Sequence, residues 1–152
     1  MITTIKGDLV TAKGIILHGV NCQGVMGSGV AKAIRDKWPQ VYKEYADVVR
    51  EYGGPSYANE YLGEVHWVEI GDVWVANCFT QEFYGKDGHR YASYDAMDRC
   101  MEEVARVAPQ FPHAPINFPL IGCHLGGLQW PIVREIIEFR IPDTFTKNLW
   151  VL

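Results

Sequence analysis

The chain of 152 residues lacks an excess of positive charge: 14 Lys and Arg against 18 Asp and Glu leave a net charge of −4. It therefore has no general attraction for nucleic acid or membrane phosphates, and any nucleotide would have to be held by local geometry. No apolar run approaches the ~18 residues needed to span a bilayer, and the opening Met1–Asp8 lacks the pattern of a signal peptide. A membrane is thus not expected among the partners. The four cysteines, Cys22, Cys78, Cys100 and Cys123, form no CxxC pair and no secreted-scaffold spacing. They read as reduced, mostly buried thiols of a cytoplasmic protein. His18, His66, His89, His113 and His124 stand at no metal-ligand spacing, so neither a metal nor a cofactor is expected. Linkers, low-complexity segments and repeats of fixed period are also missing. With 48% hydrophobic residues, residues 1–152 read as one globular domain with a sizeable core, most simply a monomer.

What is present centres on one stretch, Asn21-Cys22-Gln23-Gly24-Val25-Met26-Gly27-Ser28-Gly29-Val30. An apolar run, Gly14 to Val20, leads into it and reads as a buried strand. A helical pattern follows, with Val30, Ala33, Ile34 and Trp38 on one side. A strand, a glycine-rich turn and a helix N-terminus suit a phosphate-like anion, because the first helical N–H groups are unsatisfied and the dipole end is positive. Neither a Walker loop nor GxGxxG is present, so a tight structural turn is the competing reading.

Along the chain, Met1–Lys6 predicts a first strand. Pro39 opens a second helix with Val41, Tyr45, Val48, Val49 and Tyr52 on one face, stopped by Gly53-Gly54-Pro55. Residues 65–70 and 73–79 predict a hairpin around Gly71-Asp72. Residues 81–90 read as a mobile loop, and residues 93–107 as a helix capped by Ser93. Pro115–Pro119 then predicts a strand leading into a second glycine-containing loop, Leu120–Leu128. The helix beginning near Gln129-Trp130-Pro131 would bury Ile132, Val133, Ile136 and Ile137, and residues 147–152 close the chain as a strand. This alternation predicts a mixed, mainly parallel sheet covered on both faces. Two strand–loop–helix units at the carboxyl ends of such strands predict a diphosphate held between two helix N-termini.

Three motifs in order carry a family resemblance. They are Lys6-Gly7-Asp8-Leu9; then Val20-Asn21 with Met26-Gly27-Ser28-Gly29-Val30-Ala31; then Pro119 through Trp130 with its Gly122-Cys123-His124-Leu125-Gly126-Gly127 core. Together they resemble a macrodomain, of the branch that holds ADP-ribose-1''-phosphate phosphatases and terminal ADP-ribose hydrolases acting on modified glutamate. The resemblance implies a three-layer α/β/α sandwich around a mixed, mainly parallel sheet of about six strands. It also implies an ADP-ribose site, with Asp8 reading adenine beside Leu9. Asn21, Met26, Gly27, Ser28, Gly29 and Val30 would surround the distal ribose and diphosphate. Leu120, Ile121, Gly122, Cys123, His124, Leu125 and Gly126 would form the second phosphate loop. Trp150 and Leu152 would lie against adenine, with simple core packing as the other reading of Trp150.

The glutamate-specific hydrolases use a lysine after the hairpin's second strand and an aspartate in the second loop. Here the first region reads Phe79-Thr80-Gln81-Glu82, and Gly126 occupies the aspartate position. The resemblance therefore favours removal of the terminal phosphate of ADP-ribose-1''-phosphate. His18 is a candidate to protonate the leaving oxygen, His124 to contact phosphate, and Asn21 to orient water or a ribose hydroxyl. A hydrolase acting on ADP-ribosylated protein or nucleic acid, and a reader that binds without turnover, are the alternatives. Lys86 or Arg90 would reach a terminal phosphate from the rim loop. Cys22 and Cys123, one in each loop, are expected to serve packing more than chemistry.

Overall fold

The computed structural model describes Met1–Leu152. Six strands, β1 (Ile2–Lys6), β2 (Gly14–Asn21), β3 (Val65–Ile70), β4 (Val73–Gln81), β5 (Ile116–Phe118) and β6 (Lys147–Val151), form one sheet in the order β1-β6-β5-β2-β4-β3. Every pairing is parallel except the β3–β4 hairpin, which places β3 antiparallel at one edge. The helices are α1 (Gly29–Lys37), α2 (Pro39–Glu51), α3 (Ala58–Tyr61), α4 (Tyr94–Val107) and α5 (Trp130–Arg140).

Strand alternation divides the core in two. Ile15 and Leu17 of β2 meet Met97, Met101 and Val104 of α4 and Val133 and Ile137 of α5 on one face. Ile16 and Val20 meet Ile34 of α1, Val41 and Tyr45 of α2 and Tyr61 of α3 on the other. The period of two along strands and 3.6 along helices thus generates the α/β/α layering anticipated from the sequence. Each fully buried aliphatic or aromatic side chain contributes about 1.5–3 kcal/mol.

Local signals explain most boundaries. Pro39 takes the first turn of α2, where its missing N–H costs nothing. Ser93 caps α4 by accepting from the Ala96 N–H at 3.2 Å. The expected face of α5 needs correcting. Val133 and Ile137 are buried, whereas Ile132 is 42% exposed, because the helix turns it away from the sheet. The rim loop begins after Gln81, which still belongs to β4 and bridges Ala92.

Candidate functional site

The carboxyl ends of the parallel strands open into a cavity of about 920 Å³. Its walls come from the β1 exit (Gly7–Val10), the end of β2 (His18–Asn21), the start of α1, the loop after β5 and the C-terminal residues Trp150–Leu152. This volume is of the size taken by nucleotide-like ligands.

The first loop is built around one side chain. Asn21 Oδ1 accepts from the backbone N–H of Gln23 at 3.0 Å and of Val25 at 3.3 Å, and its Nδ2 donates to the Val25 carbonyl at 2.8 Å. The buried Tyr45 hydroxyl lies 2.6 Å from the Asn21 carbonyl and 2.8 Å from its Oδ1. One N–H of the Asn21 amide remains for a ligand. The loop ends at Ser28, whose extended backbone suits a helix cap but whose side chain makes no capping bond, and the first turn of α1 holds no acidic residue. The Val30 and Ala31 N–H groups find no acceptor in the protein, and Ser28 through Ala31 line the cavity. This is an unneutralised positive helix end. Gly29 starts the helix at φ +58°, a conformation that favours glycine.

The second loop is closed by its own backbone. The N–H groups of Ile121, Cys123 and Leu128 donate to the carbonyls of Pro119, Leu120 and Gly122. Those of Gly122, His124, Leu125 and Gly126 donate to nothing in the protein, and all four residues line the cavity. The expected pair of helix ends is not formed. Trp130 and Pro131 lie off the cavity, with Trp130 packed against the core and its ring 6.3 Å from that of Phe118. The second unit therefore offers loop N–H groups without a helix dipole. Gly126 also has no room for a side chain, since a Cβ there would fall 2.5 Å from the Gly122 carbonyl oxygen and 3.0 Å from Ala92.

Asp8 is exposed at the opposite end, its Oδ1 accepting from the Val10 N–H at 3.2 Å. It caps a short 3-10 turn, its second carboxylate oxygen takes no hydrogen bond from the protein, and the residue lines the cavity. Trp150 donates its indole N–H to Asn117 Oδ1 at 2.8 Å and packs against the α1/α2 core, yet half-buried it still lines the cavity. Trp150 thus packs as core and also forms part of the cavity wall. Leu9, almost wholly buried, and Leu152, almost wholly exposed, line the same end.

Of the sequence candidates, Asp8, Leu9, His18, Asn21, Gly27, Ser28, Gly29, Val30, Leu120, Ile121, Gly122, His124, Leu125, Gly126, Trp150 and Leu152 meet around this one cavity. Met26 and Cys123 do not. Met26 is fully buried in the core beneath α1 and α2, and Cys123 packs against the α4/α5 core. Burial pushes the Cys123 thiol up to about 11, and burial with the charge of Glu82 pushes Cys22 up to about 12. The two thiols face opposite cores, and neither is a thiolate near neutral pH. At the rim, Tyr84 and Lys86 line the cavity, whereas Arg90 lies 5.4 Å over the Tyr94 ring and points elsewhere.

His18 is fully buried at the cavity floor. Burial lowers it to about 4, against the opposing pull of a hydrogen bond to Asn77, so the imidazole is neutral at pH 7. Its Nε2 lies 2.5 Å from Asn77 Oδ1, and its Nδ1 has no partner. With the one ring proton of the neutral imidazole given to Asn77 Oδ1, Nδ1 carries no proton to donate. The sequence reading missed Thr80. Its hydroxyl is fully buried without a partner beside Gly19, where a Cβ would sit 2.7 Å from Thr80 Oγ1, and both residues line the cavity. No spacing signal marks it.

Comparison with known proteins agrees with this geometry. The model of the Macro domain family matches residues 17–137. An ADP-ribose 1''-phosphate phosphatase of Debaryomyces hansenii is 29% identical over 169 residues, covering 91% of this chain and 93% of that protein. A DNA ADP-ribosyl glycohydrolase of Mycobacterium tuberculosis is 25% identical over 148 residues, covering 97% of this chain and 39% of that protein. Among solved structures, a macrodomain protein from Streptomyces coelicolor superposes with a TM-score of 0.80 at 28% identity, covering 100% of this chain and 99% of its own.

Proposed function

Since the chain belongs to the macro domain family, we propose that its cleft binds ADP-ribose and that it removes the terminal phosphate of ADP-ribose-1''-phosphate. One observation carries this reading. The free N–H groups at the start of α1 and those of Gly122, His124, Leu125 and Gly126 belong to residues that line a single cavity, together with Asp8 and Trp150. Two sets of neutral donors hold a diphosphate without needing a basic surface, which this acidic chain lacks. The remaining carboxylate oxygen of Asp8 accepts from an exocyclic amine, which favours adenine over guanine.

Phosphomonoester hydrolysis asks for positioning and charge stabilisation more than for covalent chemistry. Water attacks phosphorus, the P–O bond to the ribose C1'' oxygen breaks, and that oxygen takes up a proton. In this reading His18 serves as a proton acceptor. His124, exposed on the second loop at the cavity, donates to the departing oxygen, and Lys86 offsets charge on the terminal phosphate. The 29% identity to a phosphatase over nearly the full length of both chains supports this choice.

A second reading, hydrolysis of ADP-ribose from a macromolecule, draws on the likeness to the DNA ADP-ribosyl glycohydrolase and on Phe83 and Tyr84, each 55% exposed on the rim loop. It would need a catalytic set other than a lysine and an aspartate, given Gln81 and the closed space at Gly126. Calorimetric titration with ADP-ribose, followed by assay of free phosphate from ADP-ribose-1''-phosphate, separates these readings. The expected result is binding with release that falls when His18 or His124 is replaced. Binding without release would leave a reader or a hydrolase of another substrate, and absence of binding would overturn the assignment of the cleft.

A further inference from the structure

Three side chains lie in register across the sheet on the α1/α2 face: His18 of β2, Asn77 of β4 and His66 of β3. The strand pairing sets His18 opposite Asn77 and Asn77 opposite His66. Asn77, fully buried, has its Oδ1 2.5 Å from His18 Nε2 and its Nδ2 3.2 Å from His66 Nδ1. The row runs from the cavity floor to the half-buried His66 beside the hairpin edge, and Glu44 and Glu51 of α2 supply the charge that His66 senses.

The two ends of an amide are chemically different, and that makes the row directional. An oxygen facing His18 Nε2 requires that nitrogen to carry the proton. An amide nitrogen facing His66 Nδ1 requires that nitrogen to be bare. A His66 with bare Nδ1 holds the Asn77 amide in this orientation, and the amide in turn selects the tautomer of His18. The remaining nitrogen, His18 Nδ1, is left as a lone pair with no protein donor in reach, enclosed beside the cavity that His18 lines. A buried acceptor without a partner costs about 1–3 kcal/mol unless a ligand or water serves it.

We infer that Asn77 and His66 are positioning residues that fix His18 as its Nε2–H tautomer and so keep Nδ1, enclosed under the floor of the cleft, as an acceptor for an O–H donor that ligand binding brings against it. Reversal of the amide would do the opposite, leaving Nδ1 protonated and aimed at the same donor. The choice of tautomer thus decides whether the cavity floor takes a proton or offers one. Neither Asn77 nor His66 need touch the ligand. The final step below rests on the reading of the cleft as an ADP-ribose site.

Long-range 1H–15N spectra of the imidazole rings test this directly. The wild-type protein is expected to show His18 with a protonated Nε2 and a bare Nδ1, unchanged between roughly pH 5.5 and 8. Asn77→Leu removes the selector, and its His18 signals should become those of mixed tautomers or of Nδ1–H. Asn77→Asp should keep the Nε2–H tautomer, because a carboxylate also accepts, while making His18 titrate at higher pH. His66→Ala, at a half-buried site, guards against misfolding of the Asn77 variants and should allow a detectable Nδ1–H population. A wild-type His18 found as Nδ1–H, or an unchanged tautomer in both Asn77→Leu and His66→Ala, would overturn the inference.

Addition of ADP-ribose then completes the test. Binding accompanied by a shift of the His18 Nδ1 signal supports the inference, and binding without that shift refutes it. Failure of ADP-ribose to bind would refute the reading of the cleft instead, with the tautomer result standing on its own. In phosphate-release assays the Asn77→Leu variant should lose turnover by roughly tenfold or more with KM little changed. Loss of general packing alone would leave the tautomer untouched.

Discussion

The two glycine loops of the cleft look alike in sequence and are held by different means. The loop after β2 is organised by the Asn21 side chain, clamped by Tyr45 from α2, and delivers an uncapped helix end to the cavity. The loop after β5 is organised by its own backbone, with Gly126 packed under Gly122 and Ala92, and its helix starts off the cavity. The strands beneath them differ in the same sense. Asn117 of β5 is satisfied at both ends, donating to the carbonyls of Lys13 and Ile15 and accepting from Asn148 and Trp150. His18 of β2 keeps one bare nitrogen. One loop is a wall closed by its own backbone, and the other, held by a side-chain clamp, carries the positive helix end of the cleft.

The close packing of the second loop predicts the largest effect. Gly126→Asp forces a Cβ into the space 2.5 Å from the Gly122 carbonyl. It should cost about 2–3 kcal/mol, seen as a fall in Tm on the order of 5–10 °C, together with loss of ADP-ribose binding. The double variant Gln81→Lys/Gly126→Asp should likewise fail to acquire a lysine–aspartate hydrolase activity. A stable, binding-competent Gly126→Asp protein would mean that this loop can shift to admit a side chain.

A comparable effect should follow from acid. His18 titrates near 6.5 when unfolded and near 4 when folded, so between those values the unfolded chain binds a proton that the native chain refuses. The stability that neutral His18 preserves is therefore complete above pH 6.5 and is lost as pH falls toward 4, by about 3 kcal/mol in all. His66, also lowered by burial, adds in the same direction. Urea unfolding at pH 7 and pH 4.5 should show a smaller difference for His18→Gln than for wild type. Equal differences would place His18 in a more solvated state than its burial implies.

Removing the clamp of the first loop comes next. Asn21→Ala leaves the Gln23 and Val25 N–H groups without their shared acceptor and the Val25 carbonyl without its donor, while the Tyr45 hydroxyl keeps the Asn21 carbonyl. It should cost about 1–3 kcal/mol of stability and lower ADP-ribose affinity by roughly tenfold. Unchanged affinity in calorimetry would show that the loop holds its shape without the clamp.

How far the sequence foretold this division can be seen residue by residue. The Ser93 cap, Pro39, the Gly71-Asp72 turn and the period of α4 were local signals, and local signals place elements. The loops were legible as loops because glycine spacing is local too. What was hidden depends on side-chain direction and strand register. Met26 and Cys123 sit in motif positions but turn inward to opposite cores. His18 and Asn77, 59 residues apart, meet only because β2 pairs with β4. The helix α5 follows its loop as α1 does, yet nothing in its sequence tells that its first turn lies away from the ligand side.

That last difference can be tested with two substitutions of equal chemistry. Ser28 and Gln129 are the N-cap residues of α1 and α5, both extended in backbone and neither making a capping bond. An aspartate at Ser28 can accept the free N–H of Val30 or Ala31 and set a negative charge at the positive helix end, worth about 1 kcal/mol, whereas at Gln129 it adds only the charge, since Pro131 has no N–H and that of Ile132 bonds the Gln129 carbonyl. Ser28→Asp should raise Tm by about 2–4 °C and Gln129→Asp by less. Their effects on ligand binding should part. At Ser28 the carboxylate takes up the N–H groups and the charge that a phosphate would use, so ADP-ribose affinity should fall by roughly tenfold while stability rises. At Gln129 affinity should not change, because the start of α5 does not line the cavity. Equal losses of affinity in both variants would restore the symmetrical picture of two helix ends facing one diphosphate.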